Sequence, residues 1–253
     1  MGGVTRTLTA LGIGLREQVR NRVLVALLVV LPFAFITLAF AVTQDVDMPV
    51  RTLVDGETAS VMRPMPDVHG VIMTPITSAL IAGLAGLFVM RTASVDGRLA
   101  VAGYRAREVI AARFGILTAI TLLVTGVSVG VMWLDFVPEN PLWFAAAMVL
   151  LSLIYGMLGI LLGAVVDRLA GLWIMLIVPM LDIGLFQDPL FVQSEPDWWM
   201  RLLPGYHPVR VLVDAGLTGT VDSAASLGWG LGYLLVVMVV AVIAFYRVSG
   251  IHR

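Results

Sequence analysis

The stretch "RTASVDGRLAVAGYRAREVIAAR", residues 91–113, lies between two long apolar runs and holds five of the chain's sixteen arginines. A connector that only joined two membrane spans would not need that charge. Val95, Leu99, Ala102, Ala106 and Val109 recur at three- and four-residue steps, one helical face, with Asp96, Arg105, Arg107 and Glu108 off it. Gly97 and Gly103 interrupt the pattern, so the spacing predicts one or two short helical turns under a membrane, polar side toward water. Arginines binding lipid headgroups account for the charge but not for the apolar stripe or the compact length. A protein partner docking from the cytosol accounts for all three.

The flanking runs set the frame. Crossing ~30 Å of hydrocarbon takes ~20 apolar residues in a helix. Six runs qualify: 23–43, 68–90, 114–134, 142–166, 169–186 and 227–246. Composition agrees, because the 253 residues are 59% hydrophobic and 13% charged, against about a quarter charged in a soluble domain. No fixed-period repeat or low-complexity tract is present, so residues 1–253 read as one membrane domain. The first apolar run is too long for the core of a cleaved signal peptide, and none is expected.

Arginine placement orients the chain. With the N-terminus in the cytoplasm, the inner segments hold Arg6, Arg16, Arg20, Arg22, Arg91, Arg98, Arg105, Arg107, Arg113, Arg168, Arg247 and Arg253. The outer segments hold only Arg51, Arg63, Arg201 and Arg210, while Asp45, Asp47, Asp67, Asp135, Glu139, Asp188, Glu195 and Asp197 fall outside. Twelve arginines against four place both termini in the cytoplasm. Residues 1–22 repeat the opening pattern, with Leu8, Leu11, Leu15 and Val19 on one stripe and Arg6, Arg16, Glu17 and Arg20 on polar positions. This predicts an amphipathic helix at the inner surface; a plain extension of the first span is the alternative.

Residues 187–226 are too apolar for an ordinary loop. Pro189, Pro196, Pro204 and Pro208 break any continuous helix. Trp198 and Trp199 suit an interface. Two conformations fit: a segment that re-enters the membrane where protein satisfies its backbone, or an outer loop lying on the headgroups. Asp182 is the one ionisable residue well inside a run, either a polar point on a path through the protein or a partner for Arg201 or Arg210.

His69 sits at an expected outer boundary as an interfacial hydrogen-bonder, His207 in the 187–226 segment as a loop-fixing residue, and His252 is terminal. No two histidines share a face, so no metal site is expected. Gly126/Gly130, Gly159/Gly163 and Gly228/Gly232 have the four-residue spacing of close helix packing. The absence of cysteine excludes disulfides, thiolate zinc sites and cysteine nucleophiles. The absence of lysine excludes a Walker A loop.

These features resemble the ABC type-2 exporter permeases. That family carries, between its second and third spans, an acidic residue, glycine and leucine, then a short helix leading into the third span. Here the pattern is matched by Asp96-Gly97-Arg98-Leu99, then Ala102-Gly103-Tyr104-Arg105, then Glu108-Val109-Ile110 and Arg113 before Phe114. The family usually has glutamate at Asp96, and often threonine at Arg98 and proline at Gly103. Its proline-rich element before the last span is matched by "LLPGYHPVRVLVDAG", residues 202–216, with Pro204, Gly205, Tyr206, His207 and Pro208.

The resemblance implies an all-α integral membrane protein with six transmembrane helices. It also implies an N-terminal interfacial helix, a cytoplasmic coupling helix within 91–113 and a re-entrant helical hairpin between spans five and six. Val95, Asp96, Gly97, Arg98, Leu99, Tyr104, Arg105 and Glu108 would then contact cytosolic ABC ATPase subunits, which hold ATP and Mg, while this chain binds no cofactor. A homodimer, or a heterodimer with a second permease, would sit in a prokaryotic plasma membrane without nucleic acid. It would export a small amphipathic, drug-, antibiotic- or lipid-like cargo. Two other classes stay open: a non-transporting scaffold or immunity protein, and an intramembrane enzyme using Ser128 or Ser152, for which spans three to six supply no histidine.

Overall fold

A computed structural model describes residues 3–20, 22–54, 57–91, 104–191 and 196–249. Val95, Asp96, Gly97, Arg98 and Leu99 therefore lie outside the described residues. The chain forms α1 (Gly3–Arg20), α2 (Arg22–Val42), β1 (Asp47–Val54), β2 (Glu57–Pro64), α3 (Met65–Arg91) and α4 (Ala106–Met132). It continues through α5 (Pro141–Val165), α6 (Arg168–Leu181), α7 (Tyr206–Leu217) and α8 (Ser226–Ser249). Six helices, α2 to α6 and α8, are long and apolar enough to cross a membrane, α6 when counted through Phe186.

α3 is the most buried of the six and α5 the next, while α2 and α8 turn most of their apolar surface outward. The reason lies in small residues. α3 and α5 run side by side with Gly83 and Gly86 facing Gly156, Gly159 and Gly163. A Cβ on Gly86 would overlap the Gly156 carbonyl, and one on Gly159 would overlap the Gly83 carbonyl, so the two backbones touch. Gly159/Gly163 thus serves internal packing. Gly126, Gly130, Gly228 and Gly232 have open space where a Cβ would be and lie on outward faces.

Hydroxyls tie the centre of this core together. Ser78 on α3 meets Ser152 on α5 at 2.8 Å, and Thr125 on α4 lies 3.4 Å from each. Each such bond between spans contributes about 0.6 kcal/mol on average. Ser152, the candidate nucleophile, is thus engaged with two other hydroxyls.

α1 packs along α4 rather than standing apart. Gly14 lies against Ile116, and Gly115 against Leu11. Leu11 and Leu15 join the cluster around Ile116 and Ile120, whereas Leu8 and Val19 point outward. The predicted stripe is therefore split between protein and surroundings. Arg16, Glu17 and Arg20 lie on the exposed side.

Several boundaries differ from the sequence reading. α3 begins at Met65, three residues early. α4 begins at Ala106, so residues 106–113 of the expected coupling region belong to the third span's helix. The Arg105 N–H donates to Glu108 Oε2 at 2.9 Å, which closes the first turn of α4 and explains the early start. Between α2 and α3, where only a loop was expected, β1 and β2 form an antiparallel hairpin with Val54 opposite Glu57 and Asp47 opposite Pro64. Val50 and Thr52 turn inward and are buried. Among its described residues, the 187–226 segment holds one α-helix, α7, where a helical hairpin was expected. The run before it is irregular, with a π-helical turn over Asp182–Phe186 and a 3-10 turn over Met200–Leu202. Pro196 and Pro204 interrupt helical hydrogen bonding along it.

Candidate functional site

Three connections lie on one face of the bundle: the hairpin, the link between α4 and α5, and residues 187–191 with 196–225. Their contacts hold them together. Arg63 on β2 pairs with Glu139 at 3.5 Å. The last carbonyls of α7, which its own helix cannot satisfy, accept from the α4–α5 link: Asn140 N–H to Ala215 at 2.8 Å, Asn140 Nδ2 to Thr218 at 2.8 Å, and Glu139 N–H to Gly216 at 3.3 Å. α7 is buried along nearly its whole length, against α3, α5, α8 and β1.

Two buried aspartates shape this face. Asp182 accepts from the Tyr155 hydroxyl, from the Gly205 N–H at 2.7 Å and from Gln187 Nε2 at 3.4 Å. Neither Arg201 nor Arg210 is among its partners, so of the two roles expected for Asp182 the arginine partnership is corrected. A Cβ on Gly205 would stand 2.9–3.1 Å from the Asp182 carboxylate, so the N–H approaches only because the residue is glycine. Asp182 therefore clasps the end of the fifth span to the start of α7. Asp214 accepts from Thr218 Oγ1 at 2.8 Å, from Ser223 N–H at 2.8 Å and from Ser223 Oγ at 2.7 Å. It fixes the turn between α7 and α8. Burial pushes the nearby Asp188 carboxyl up to about 6.

These supports leave a cavity of about 840 Å³ roofed by the hairpin. Arg51, Thr52, Leu53 and Thr58 line it from the hairpin; Phe186, Gln187, Arg201 and Leu202 from the irregular run; and Tyr206, His207, Val209 and Arg210 from α7. Trp229 closes it from α8, its indole stacked on His207 at 6.2 Å. Beside this stack, His207 Nδ1 makes no hydrogen bond. Burial and then the Arg210 charge push its imidazole below the usual value. Pro204 and Gly205 precede α7, and Pro208 is buried inside it. On the same side of the bundle, next to the hairpin, His69 Nδ1 lies 2.8 Å from Thr43 Oγ1.

At the other end of the bundle stand the described members of the expected coupling set. Tyr104 is half-buried against the cluster that holds Val109 and Phe245. Arg105 is exposed and Glu108 is buried. Arg113 is buried too; its guanidinium donates to the Val89 carbonyl and lies 5.6 Å from the Phe245 ring centroid. One side chain thus joins the ends of α3, α4 and α8. Sequence reasoning missed Tyr155, Asp214 and the structural part of Arg113. Tyr155 carries no signal, being one aromatic in an apolar run. Asp214 has one in Thr218, a hydroxyl a helical turn away.

A comparison with curated proteins finds no match. The family model described as ABC-2 family transporter protein matches residues 68–247, from the first turn of α3 nearly to the end of α8. That range covers most of the chain and five of its six candidate spans. The match, on an all-helical bundle with six apolar spans, shows that the chain is a multi-pass membrane protein of the ABC-2 transporter family.

Proposed function

We propose that the chain is the transmembrane permease subunit of an ATP-driven exporter, paired with an identical or homologous permease. Cytosolic ABC ATPase subunits hydrolyse ATP with Mg, and this chain binds neither. The observation that carries the proposal is the family match over residues 68–247, since that family consists of transporter membrane domains. The missing lysine supports the division of labour, because no Walker A loop can form.

The arginine-rich face is cytoplasmic in this reading and the hairpin face is outside, in a prokaryotic plasma membrane. The ATPase docks on residues 91–105, through Val95, Asp96, Gly97, Arg98, Leu99, Tyr104 and Arg105. Glu108, which closes the first turn of α4, is the remaining member of that set. Arg16, Glu17 and Arg20 on the exposed side of α1 face the same compartment. A cargo of small amphipathic, drug-, antibiotic- or lipid-like character suits the cavity volume better than a polymer does.

The test is co-expression with the ATPase encoded beside this gene, followed by co-purification and reconstitution. The expected result is a stable complex whose ATP-dependent efflux is lost on Arg98→Glu/Arg105→Glu, with the permease still inserted. An isolated chain that transports fully without any ATPase overturns the proposal.

A further inference from the structure

The cavity beneath the hairpin joins cationic and aromatic walls. We propose that it binds the head of an anionic amphiphile, a single phosphate or carboxylate carried on an apolar body. Arg201 and Arg210 both line it, both are exposed, and neither takes part in an ion pair among the described residues. Two acids line it as well, so the lining carries three guanidinium groups, Arg51, Arg201 and Arg210, against two carboxylates, Asp214 and Asp222. Asp214 spends both carboxylate oxygens on Thr218 and Ser223. Arg51 and Asp222 each have an interaction of their own.

Two guanidinium groups lining one cavity suit an oxyanion, which arginines bind by charge-assisted, forked hydrogen bonds. The rest of the lining suits a tail. Phe186, Trp229 and Leu202 present apolar surface beside the arginines. The volume, about 840 Å³, falls in the range of pockets for drug-sized ligands. A free inorganic anion would leave that apolar wall unused. A cationic amphiphile would meet a lining with an excess of positive charge.

This proposal stands apart from the exporter reading, because equilibrium binding needs no ATPase. The full chain in phosphatidylcholine nanodiscs is titrated with octyl phosphate, and with octyl glucoside as a neutral control of the same tail. Calorimetry is expected to show saturable octyl phosphate binding, roughly ten-fold or more tighter than octyl glucoside. The double variant Arg201→Gln/Arg210→Gln is expected to erase that difference while octyl glucoside binding stays the same. Arg201→Lys/Arg210→Lys is expected to restore part of it.

Equal affinity for the two octyl compounds, or full octyl phosphate binding by the glutamine variant, overturns the proposal. So does inorganic phosphate that binds as tightly as octyl phosphate, since the site would then be a bare ion site. Nanodiscs containing phosphatidylglycerol identify the source. Suppression of octyl phosphate binding supports the site with a lipid headgroup as its occupant, and unchanged binding supports it with a non-lipid amphiphile. Full transport without any ATPase, with binding intact, would count against the exporter reading alone.

Discussion

Asp182 is a carboxylate inside a span whose surroundings consist of donors. The Tyr155 hydroxyl, the Gly205 N–H and Gln187 Nε2 all point at it. Each buried donor left without an acceptor costs about 1–3 kcal/mol. Asp182→Asn keeps a carbonyl oxygen where the tyrosine and glycine donate, and Gln187 can turn its own carbonyl toward the new amide. The expected outcome is normal expression and a melting temperature close to the parent. Asp182→Ala orphans Tyr155 and Gly205 together, and is expected to lower stability by roughly 2–4 kcal/mol. Thermal unfolding of the detergent-solubilised chain separates the two. An asparagine variant as unstable as the alanine variant would show that the charge itself is needed. Sequence alone marks Asp182 as unusual but not why, because Tyr155 and Gly205 are brought to it only by the fold.

Glycines that look alike in sequence divide sharply at the level of helices. Gly86 and Gly159 lie in the contact between α3 and α5, with a neighbouring carbonyl where a methyl would go. Overpacking a tight site costs typically about 1–3 kcal/mol, and two backbones in contact have no side chain that can move aside. Gly159→Ala is therefore expected to destabilise by at least that much. Gly126→Ala and Gly232→Ala, with nothing near the new carbon, are expected to be neutral or to gain up to about 1 kcal/mol from helix propensity. Fluorescence size-exclusion after heating distinguishes these outcomes. The four-residue spacing identifies all three pairs as close-packing candidates. Which pair faces a neighbour depends on helix rotation, which a uniformly apolar run does not reveal.

For the whole molecule, the apolar runs were legible because a span must hide its backbone in helix for some twenty residues. The hairpin was harder to see. Pro49 interrupts its first strand and its alternation is short. The Asp-Gly dipeptide at 55–56, between the strands, is the signal that marks such a turn. The cavity was not legible, since it is assembled from segments more than a hundred residues apart. Replacing residues 47–64 by a glycine-serine linker removes the roof over α7. The expected outcome is insertion of all six spans with faster proteolysis near Arg201 and Arg210. Unchanged cleavage there would mean that the hairpin covers nothing.

The glycine seam between α3 and α5 has a further consequence. Two helices whose main chains touch cannot slide past or splay from one another without separating along a buried strip. They behave as a single strut, reaching from the Arg91 and Val165 ends to the Met65 and Pro141 ends. A displacement of α3 is therefore shared by α5 wherever their main chains touch.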